Sequence, residues 1–540
     1  MKNFKLIFFL AAIGLFSAWW WSRSTPWEKA QRALDKGEPG RAVEVLVKAM
    51  ESKDWPPEKE EMLLEMLARG YINKGVIDPA EKTYRSLQEK FPNNFDAALG
   101  LGALSLMRGM DSFALQYLNE AKRIRPNDIR SYVLLARLLI NRRDYEGATS
   151  TITEGLLLFP SSDRLVEISG DLMFNQGRYI DALSQYTALL DLTPSNQNLK
   201  IKVARTYLFA GDLITSYDLL STIRPLSGTD EGLELLLSNI LHRKGQRKEA
   251  ANIAERLYRE DQRRFDSGLT WVAYLGSMGR MAEAEEVLTR IGETLLPLGA
   301  GYSTPLAGQT LSDLERLQGW RETALRHQIF YSQVRATLAI YKGHYSEAQD
   351  HLERAINIDT GDFGTIEQMA DLFRLKNDRV NRLKWANRAI SIYNNHPAAH
   401  LMRAKVYLDL KRNQDAIFDT RIVVDSYPSL SLAQAILSRA WMMQGKVQSS
   451  LEAAQKAVRL NSGDPEAHLS LAIALSESGK IEDSNGAFIT AIDLDPRFAE
   501  ARFEWATRLK KQGRISESDM HFSEAERLEP LLYKGEKKLY

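Results

Sequence analysis

The sequence predicts an all-α protein, a solenoid of repeated helix-turn-helix units, and three positional regularities predict it. Prolines stand at Pro92, Pro126, Pro160 and Pro194, then at Pro428, Pro496 and Pro530, always 34 residues or twice 34 apart, with Ser462 in the intervening place. With the proline as position 32 of a 34-residue unit, position 15 is Gly75, Gly109, Gly177, Gly211, Gly245, Gly279, Gly343, Gly445, Gly479 and Gly513; Arg143, Asn377 and Lys411 are the exceptions. Position 20 is alanine or serine throughout, from Ala80 and Ala114 to Ser484 and Ser518, except at Arg382. One such unit cannot bury its own apolar face, so neighbours must stack into a continuous core.

Each position has a physical reason. Glycine at 15 ends the first helix in the left-handed conformation and lets the chain double back. A small residue at 20 lets two antiparallel helices approach closely, and proline at 32 sits where the next helix starts and a missing N–H costs nothing. Apolar spacing is helical, as in Ala98, Leu101, Ala103 and Leu104 or Leu469, Leu471, Ala472 and Leu475, and no stretch alternates like a strand.

These residues resemble the tetratricopeptide repeat (TPR) family. Leu67, Tyr71, Ala80, Tyr84 and Pro92 in one unit, and Leu101, Gly102, Ala114, Ala121 and Pro126 in the next, match its large, small, aromatic and proline places. Position 8 is often Ala or Ser instead of Gly, and units over 197–298 replace the proline by Gly228, Gln262 and Leu296. The resemblance implies a right-handed TPR α-solenoid of about 13 units in two sub-arrays, 61–298 and 329–532, after a degenerate opening pair at 25–60. Between the arrays the register slips by four residues, and Pro297 to Pro305 has loop composition before Leu311–Gln318 resumes a helical pattern, so 299–328 reads as an irregular junction, either a hinge or a binding loop. Residues 533–540 form a tail.

Residues 1–24 carry the membrane signal. Lys2 and Lys5 precede the uncharged run 6–21, which ends in Trp19, Trp20 and Trp21. Sixteen residues rise roughly 24 Å, enough for a marginal single span with a snorkelling lysine and an aromatic belt. A cleaved signal peptide is the rival reading. Charge bias places the N-terminus in the cytoplasm and the repeats outside it, at an inner membrane, in the periplasm or otherwise extracytoplasmic.

Composition removes much chemistry. In 540 residues, 71 Lys+Arg against 70 Asp+Glu leave a net charge of +1, so no basic field points to nucleic acid. Zero cysteines exclude thiolate nucleophiles, Cys-ligated zinc and iron–sulfur clusters. His396 and His400 have helix-ligand spacing but no HExxH context, and Gly479-Lys480 lacks the other residues of a phosphate loop. No catalytic, cofactor or metal site is expected, and segments outside the repeats are too short for an enzyme core.

The resemblance implies that positions 2, 5, 9 and 12 of each first helix face the concave groove. Position 9 supplies the candidate binding residues Arg69, Arg137, Arg205, Asn239, Lys405 and Arg439. Arginine suits bidentate capture of carboxylates, and pairing with neighbours such as Glu65, Glu167 and Asp171 is the competing structural role. The expectation is a membrane-tethered scaffold, non-enzymatic, holding peptide segments or helices of envelope or secretion-related proteins, with the bilayer met through residues 6–21. Guiding an exported polysaccharide is the alternative. The abrupt end after Pro530 makes that edge a candidate for self-association or for self-capping by Leu531, Leu532 and Tyr533.

Overall fold

The computed structural model describes residues 25–52, 54–223, 230–295 and 311–534. The 6–21 segment, residues 299–310 of the junction and most of the tail lie outside them. Among the described residues, no helix is long and apolar enough to cross a membrane.

Among the described residues fourteen antiparallel helix pairs follow one another, from Pro26–Asp35 with Pro39–Ser52 to Ala499–Lys511 with Ile515–Leu528, a short Pro530–Tyr533 helix follows, and no strand occurs. The turns form as position 15 demands. Gly75 has φ +77°, its N–H donates to Ile72 O at 2.9 Å, and Val76 N–H donates to Tyr71 O at 2.9 Å. The three exceptions are forced into the same conformation, with φ +58° at Arg143, +54° at Asn377 and +57° at Lys411. A side chain there costs about 1–2 kcal/mol, partly offset by the extra chain entropy of glycine. Lys411→Gly is therefore expected to stabilise the protein by about 1 kcal/mol in denaturant unfolding; an unchanged midpoint would show that the strain is relieved elsewhere.

Position 20 is buried in every case the pattern places at a helix crossing, with Ala80, Ala114, Ala148, Ala182 and Ser216 fully inaccessible. At three of the four serines the hydroxyl donates to the facing position-8 carbonyl, Ser216 to Ala204 O at 2.7 Å, Ser484 to Ala472 O and Ser518 to Ala506 O at 2.8 Å, while Ser450 Oγ meets the hydroxyl of Ser438 at 2.9 Å. Arg382 occupies the same place by ion-pairing with Asp409. Burial pulls its guanidinium down to about 10. The opening pair repeats the device out of phase: Gly37 turns at φ +71° and Ala42, five residues on, is inaccessible.

The described residues form two compact units, one within 25–168 with 311–324, the other within 169–295 with 325–534. This division does not fall between 61–298 and 329–532. The helical pattern read from Leu311 runs on without a break through residue 328, as the single helix Leu311–Tyr341. That stretch contains no proline and one glycine, so nothing in it stops a helix. In unit 1, Leu46 and Leu63 close the opening core, and Phe95, Leu99, Leu104, Leu118 and Tyr132 continue it.

Unit 2 winds back onto itself, so that turns of 169–299 dock on turns of the later repeats. Tyr427 Oη accepts from Tyr179 N–H at 3.2 Å and donates to Gly177 O at 2.6 Å. Tyr179 Oη meets His396 Nε2 at 3.0 Å, Asn461 Nδ2 donates to Arg243 O at 3.1 Å, and Arg247 pairs with Asp495 at 3.4 Å. Backbones nearly touch: a Cβ added to Gly463 would stand 2.3 Å from the Lys244 carbonyl carbon. The concave side of unit 2 is thereby enclosed as a lumen.

His396 and His400 are spent on this packing. His396 Nδ1 accepts from Ala398 N–H at 3.2 Å, while His400 faces Asp419 at 3.1 Å and Asn394 O at 2.8 Å. Burial, then the neighbouring His400, hold His396 down to about 4. Its proton therefore binds the unfolded chain first: the contribution is complete above about pH 6.5 and is lost as pH falls toward 4. Glu367, raised to about 7, acts in the opposite sense. His396→Asn, which keeps the cap, is expected to flatten the acid limb of stability against pH between 6.5 and 4; an unaltered limb would remove His396 as its source.

Candidate functional site

The lumen of unit 2 is walled by first helices, and the sequence-predicted residues there divide into two groups. Lys405 and Arg439 are neutralised. Lys405 Nζ lies 2.7 Å from Glu466 Oε1, and Arg439 bridges Glu466 at 3.7 Å and Glu500. Burial alone would depress both cations, but Glu466 holds Lys405 above its ordinary range, and Glu500 with Glu466 does the same for Arg439. Arg374 makes a two-pronged pair with Glu529, both bonds 2.9 Å.

The pairing follows a rule of the repeat. A position-9 cation meets position-2 carboxylates lying 27 or 61 residues on, as Arg439 meets Glu466 and Glu500, and Lys405 meets Glu466. For Arg205 the corresponding positions are Gly232 and Asp266. Glycine offers nothing, and Asp266 is taken by Arg326 at 2.8 Å and His327 at 3.3 Å.

Arg205 is consequently left without a hydrogen-bond or ion-pair partner among the described residues. Its guanidinium lies 4.9 Å from the Phe174 ring and 5.9 Å from that of Phe209. Arg243 reaches the same ring at 5.7 Å, and its Nε donates to Asn239 Oδ1 at 3.1 Å. No carboxylate among the described residues pairs with it. Burial lowers both guanidiniums, Arg326 adding to the effect on Arg205. Phe174, Tyr179 and Phe209 support the two arginines as one cluster, with centroids 5.3–5.8 Å apart. Arg205 and Asn239 thus come together, with Asn239 acting as a support for Arg243. Arg243 lies at position 13, outside the positions read for the groove; its helical spacing of four from Asn239 was the available signal.

In unit 1, Arg69 is half-buried with Nε unbonded, and Arg137 lies on Ile129–Asn141. Asp171, considered a partner for Arg205, is held by Lys202 at 2.6 Å and by Tyr186 Oη at 2.6 Å. Trp271 and Trp505 are buried packing residues, and Trp385 is half-buried in the core. No cluster of metal-ligating side chains occurs among the described residues.

The family pattern described as Tetratricopeptide repeat matches residues 65–129 and 401–465. The chain carries tetratricopeptide repeats in those two segments. It is 30% identical over 158 residues to a TPR repeat-containing protein of Methanocaldococcus jannaschii, which covers 29% of this chain and 28% of the relative. The chain therefore matches under a third of that relative's length. Among solved structures it is similar to the Cut9–Hcn1 hetero-tetramer of the APC/C, with TM-score 0.46 and 13% identity over 87% of this chain and 94% of that one. A tetratricopeptide repeat protein from Parabacteroides merdae gives TM-score 0.40 and 19% identity over 45% of this chain and 95% of that one. Tetratricopeptide repeats suggest a scaffold for protein–protein interaction and are generally non-enzymatic.

Proposed function

We propose that this TPR protein is a non-enzymatic adaptor, tethered to the inner membrane by residues 6–21 with its N-terminus in the cytoplasm, and that the unit 2 lumen takes an acidic segment of an envelope or secretion-related protein. The observation that carries the binding part is the pair Arg205 and Arg243, set on an aromatic shelf with no carboxylate partner among the described residues. A bound carboxylate would supply the ion-paired hydrogen bonds that neither guanidinium makes among the described residues, each contributing about 1.5–3 kcal/mol. The uncharged run 6–21 after Lys2 and Lys5 supports the tether, which would raise the local concentration of a membrane partner.

The test is cross-linked affinity capture from native membranes, comparing the full chain with an Arg205→Ala/Arg243→Ala variant of equal helical content. Envelope proteins captured by the first and lost from the second are expected. Equal capture by both would make the arginines structural, and recovery of glycan in place of protein would favour the polysaccharide reading. A C-terminal reporter active only in the cytoplasm would overturn the orientation. Self-association at the C-terminal edge rests on Leu531, half-exposed beside Tyr533, whose ring stacks 4.7 Å from Phe503. A monomer at every concentration in detergent sedimentation would remove it.

A further inference from the structure

A cavity of about 430 Å³ lies where three stretches of unit 2 meet, its walls drawn from 242–277, 337–375 and 495–529. That volume falls in the range of about 300–1,000 Å³ usual for small-molecule sites. Neither Arg205 nor Arg243 lines it, so the arginine pair above is no part of it. Most charges on its walls are spent. Arg247 pairs with Asp495 at 3.4 Å, and Arg374 holds Glu529 by two bonds of 2.9 Å. Asp371 stands amid the charges of Arg374, Arg382 and Lys405. His242 is neutral, because burial and then Arg247 hold it down to about 4.

Arg497 is the cation left over. It lines the cavity half-buried, and its guanidinium has no ion-pair partner among the described residues. Asp495 accepts the Arg497 backbone N–H at 3.2 Å but gives its charge to Arg247, and Glu524, on which the Arg497 charge acts, is taken by Arg527 at 2.6 Å. The guanidinium lies over the Tyr341 ring, 4.3 Å from its centre, and its one hydrogen bond, from Nη2 to Tyr341 O, is long at 3.4 Å. A guanidinium laid on a ring keeps its N–H edges outward, where a carboxylate can take two of them at once. The hydroxyls of Tyr341 and Tyr345, also in the walls, have no hydrogen-bond partner among the described residues. Burial raises both phenols above their ordinary range, so both remain donors. Ile340, Leu375 and Leu528 add aliphatic wall beside the two rings.

We propose that this cavity binds a small aromatic monocarboxylate, its carboxylate forked by Arg497 and its ring set beside Tyr345 and the aliphatic wall. One spare positive charge matches one negative charge. A second carboxylate on the ligand would face Asp371, Asp495 and Glu529, so the walls reject dianions by repulsion. The walls belong to early and late repeats alike, so the bound molecule also ties together the turns whose docking closes unit 2.

The experiment is equilibrium dialysis of full-length protein, with the same detergent in both chambers, against probes that share a phenyl ring and differ in the head group: phenylpropanoate, phenylpropanol, phenylpropylamine and phenylsuccinate. Phenylpropanoate is expected to bind about tenfold more tightly than any of the other three. Arg497→Gln is expected to abolish that preference, and Arg497→Lys, which keeps the charge and loses the fork, to restore part of it. Bound phenylpropanoate is also expected to slow hydrogen exchange at 243–247 and 495–497. Failure of phenylpropanoate to bind, tighter binding of the amine or of phenylsuccinate, or an unchanged preference in Arg497→Gln would overturn the inference. So would acetate competing as well as phenylpropanoate, because the ring would then contribute nothing. Circular dichroism of each variant excludes unfolding as the cause. Arg205 and Arg243 are intact in every variant, so this inference and the acidic-segment reading stand or fall separately.

Discussion

Glu466→Ala is expected to destabilise unit 2 by about 2–4 kcal/mol, because it strands Lys405 in the lumen wall and leaves Arg439 with Glu500 alone. The usual cost of removing one partner from a buried pair is about 3–5 kcal/mol, and the lower range applies because a fifth to a third of these side chains still meets water. Replacing Lys405 by methionine in the same background should recover part of the loss, since the stranded charge then disappears. Denaturant unfolding of the single and double variants measures the coupling directly. Additive losses would mean that the ions are individually solvated and that the chain Lys405–Glu466–Arg439–Glu500 is not an energetic unit.

Gly463→Val is expected to be comparably disruptive for a different reason. Gly463 has an ordinary φ, so its own turn would accept a side chain; the obstacle is the Lys244–Gly245 backbone, 2.3–2.8 Å from the added Cβ. Backbone cannot rotate aside as a flexible side chain would, so the docking of one turn on another must open or strain at about 1–3 kcal/mol. Hydrogen exchange should quicken around 243–247 and 461–464 while the two local helix pairs keep their protection. Gly479→Ala is the contrasting variant: its added Cβ meets nothing, so it should cost only the left-handed strain at φ +79°. Equal exchange profiles for the two variants would deny the turn-on-turn contact.

The contrast shows what the sequence carries openly. Helix pairing is set within 34 residues, so Gly75, Ala80 and Pro92 announce it, and even Arg143, Asn377 and Lys411 turn where their place in the period requires. The opening pair has the same glycine-to-alanine spacing in Gly37 and Ala42 but four residues out of phase, which hides it from a scan at fixed register. Contacts between successive turns of unit 2 join residues more than 200 apart, such as Tyr179 with Tyr427, and no local pattern marks them. Gly177 illustrates the difficulty: its positive φ explains it fully as a turn residue, while His396 Cα lies 2.6 Å from where its Cβ would be.

The lumen was half legible. Position 9 named Arg205, Lys405 and Arg439 alike, although only Arg205 lacks a carboxylate partner among the described residues. Reading position 2 beside it separates them, since Glu466 and Glu500 stand where Lys405 and Arg439 reach, whereas Gly232 and Asp266 stand opposite Arg205. Asp266 fails as a counter-charge because Arg326, from the long Leu311–Tyr341 helix, reaches it first, and the 34-residue register, broken across that helix, gives no place to Arg326.

Enclosure of the lumen by contacts between turns is the claim on which the site depends, and cysteine cross-linking tests it most directly because the chain contains no cysteine of its own. In the full-length protein, Arg247→Cys/Asp495→Cys replaces a pair whose side chains meet at 3.4 Å. Treatment with a short bis-maleimide should give rapid, concentration-independent intramolecular cross-linking, while a control pair at Arg247 and Lys411 should not react. Failure of the 247–495 pair to cross-link, with both thiols reactive toward a monofunctional maleimide, would contradict the closed winding of unit 2 and the lumen built on it.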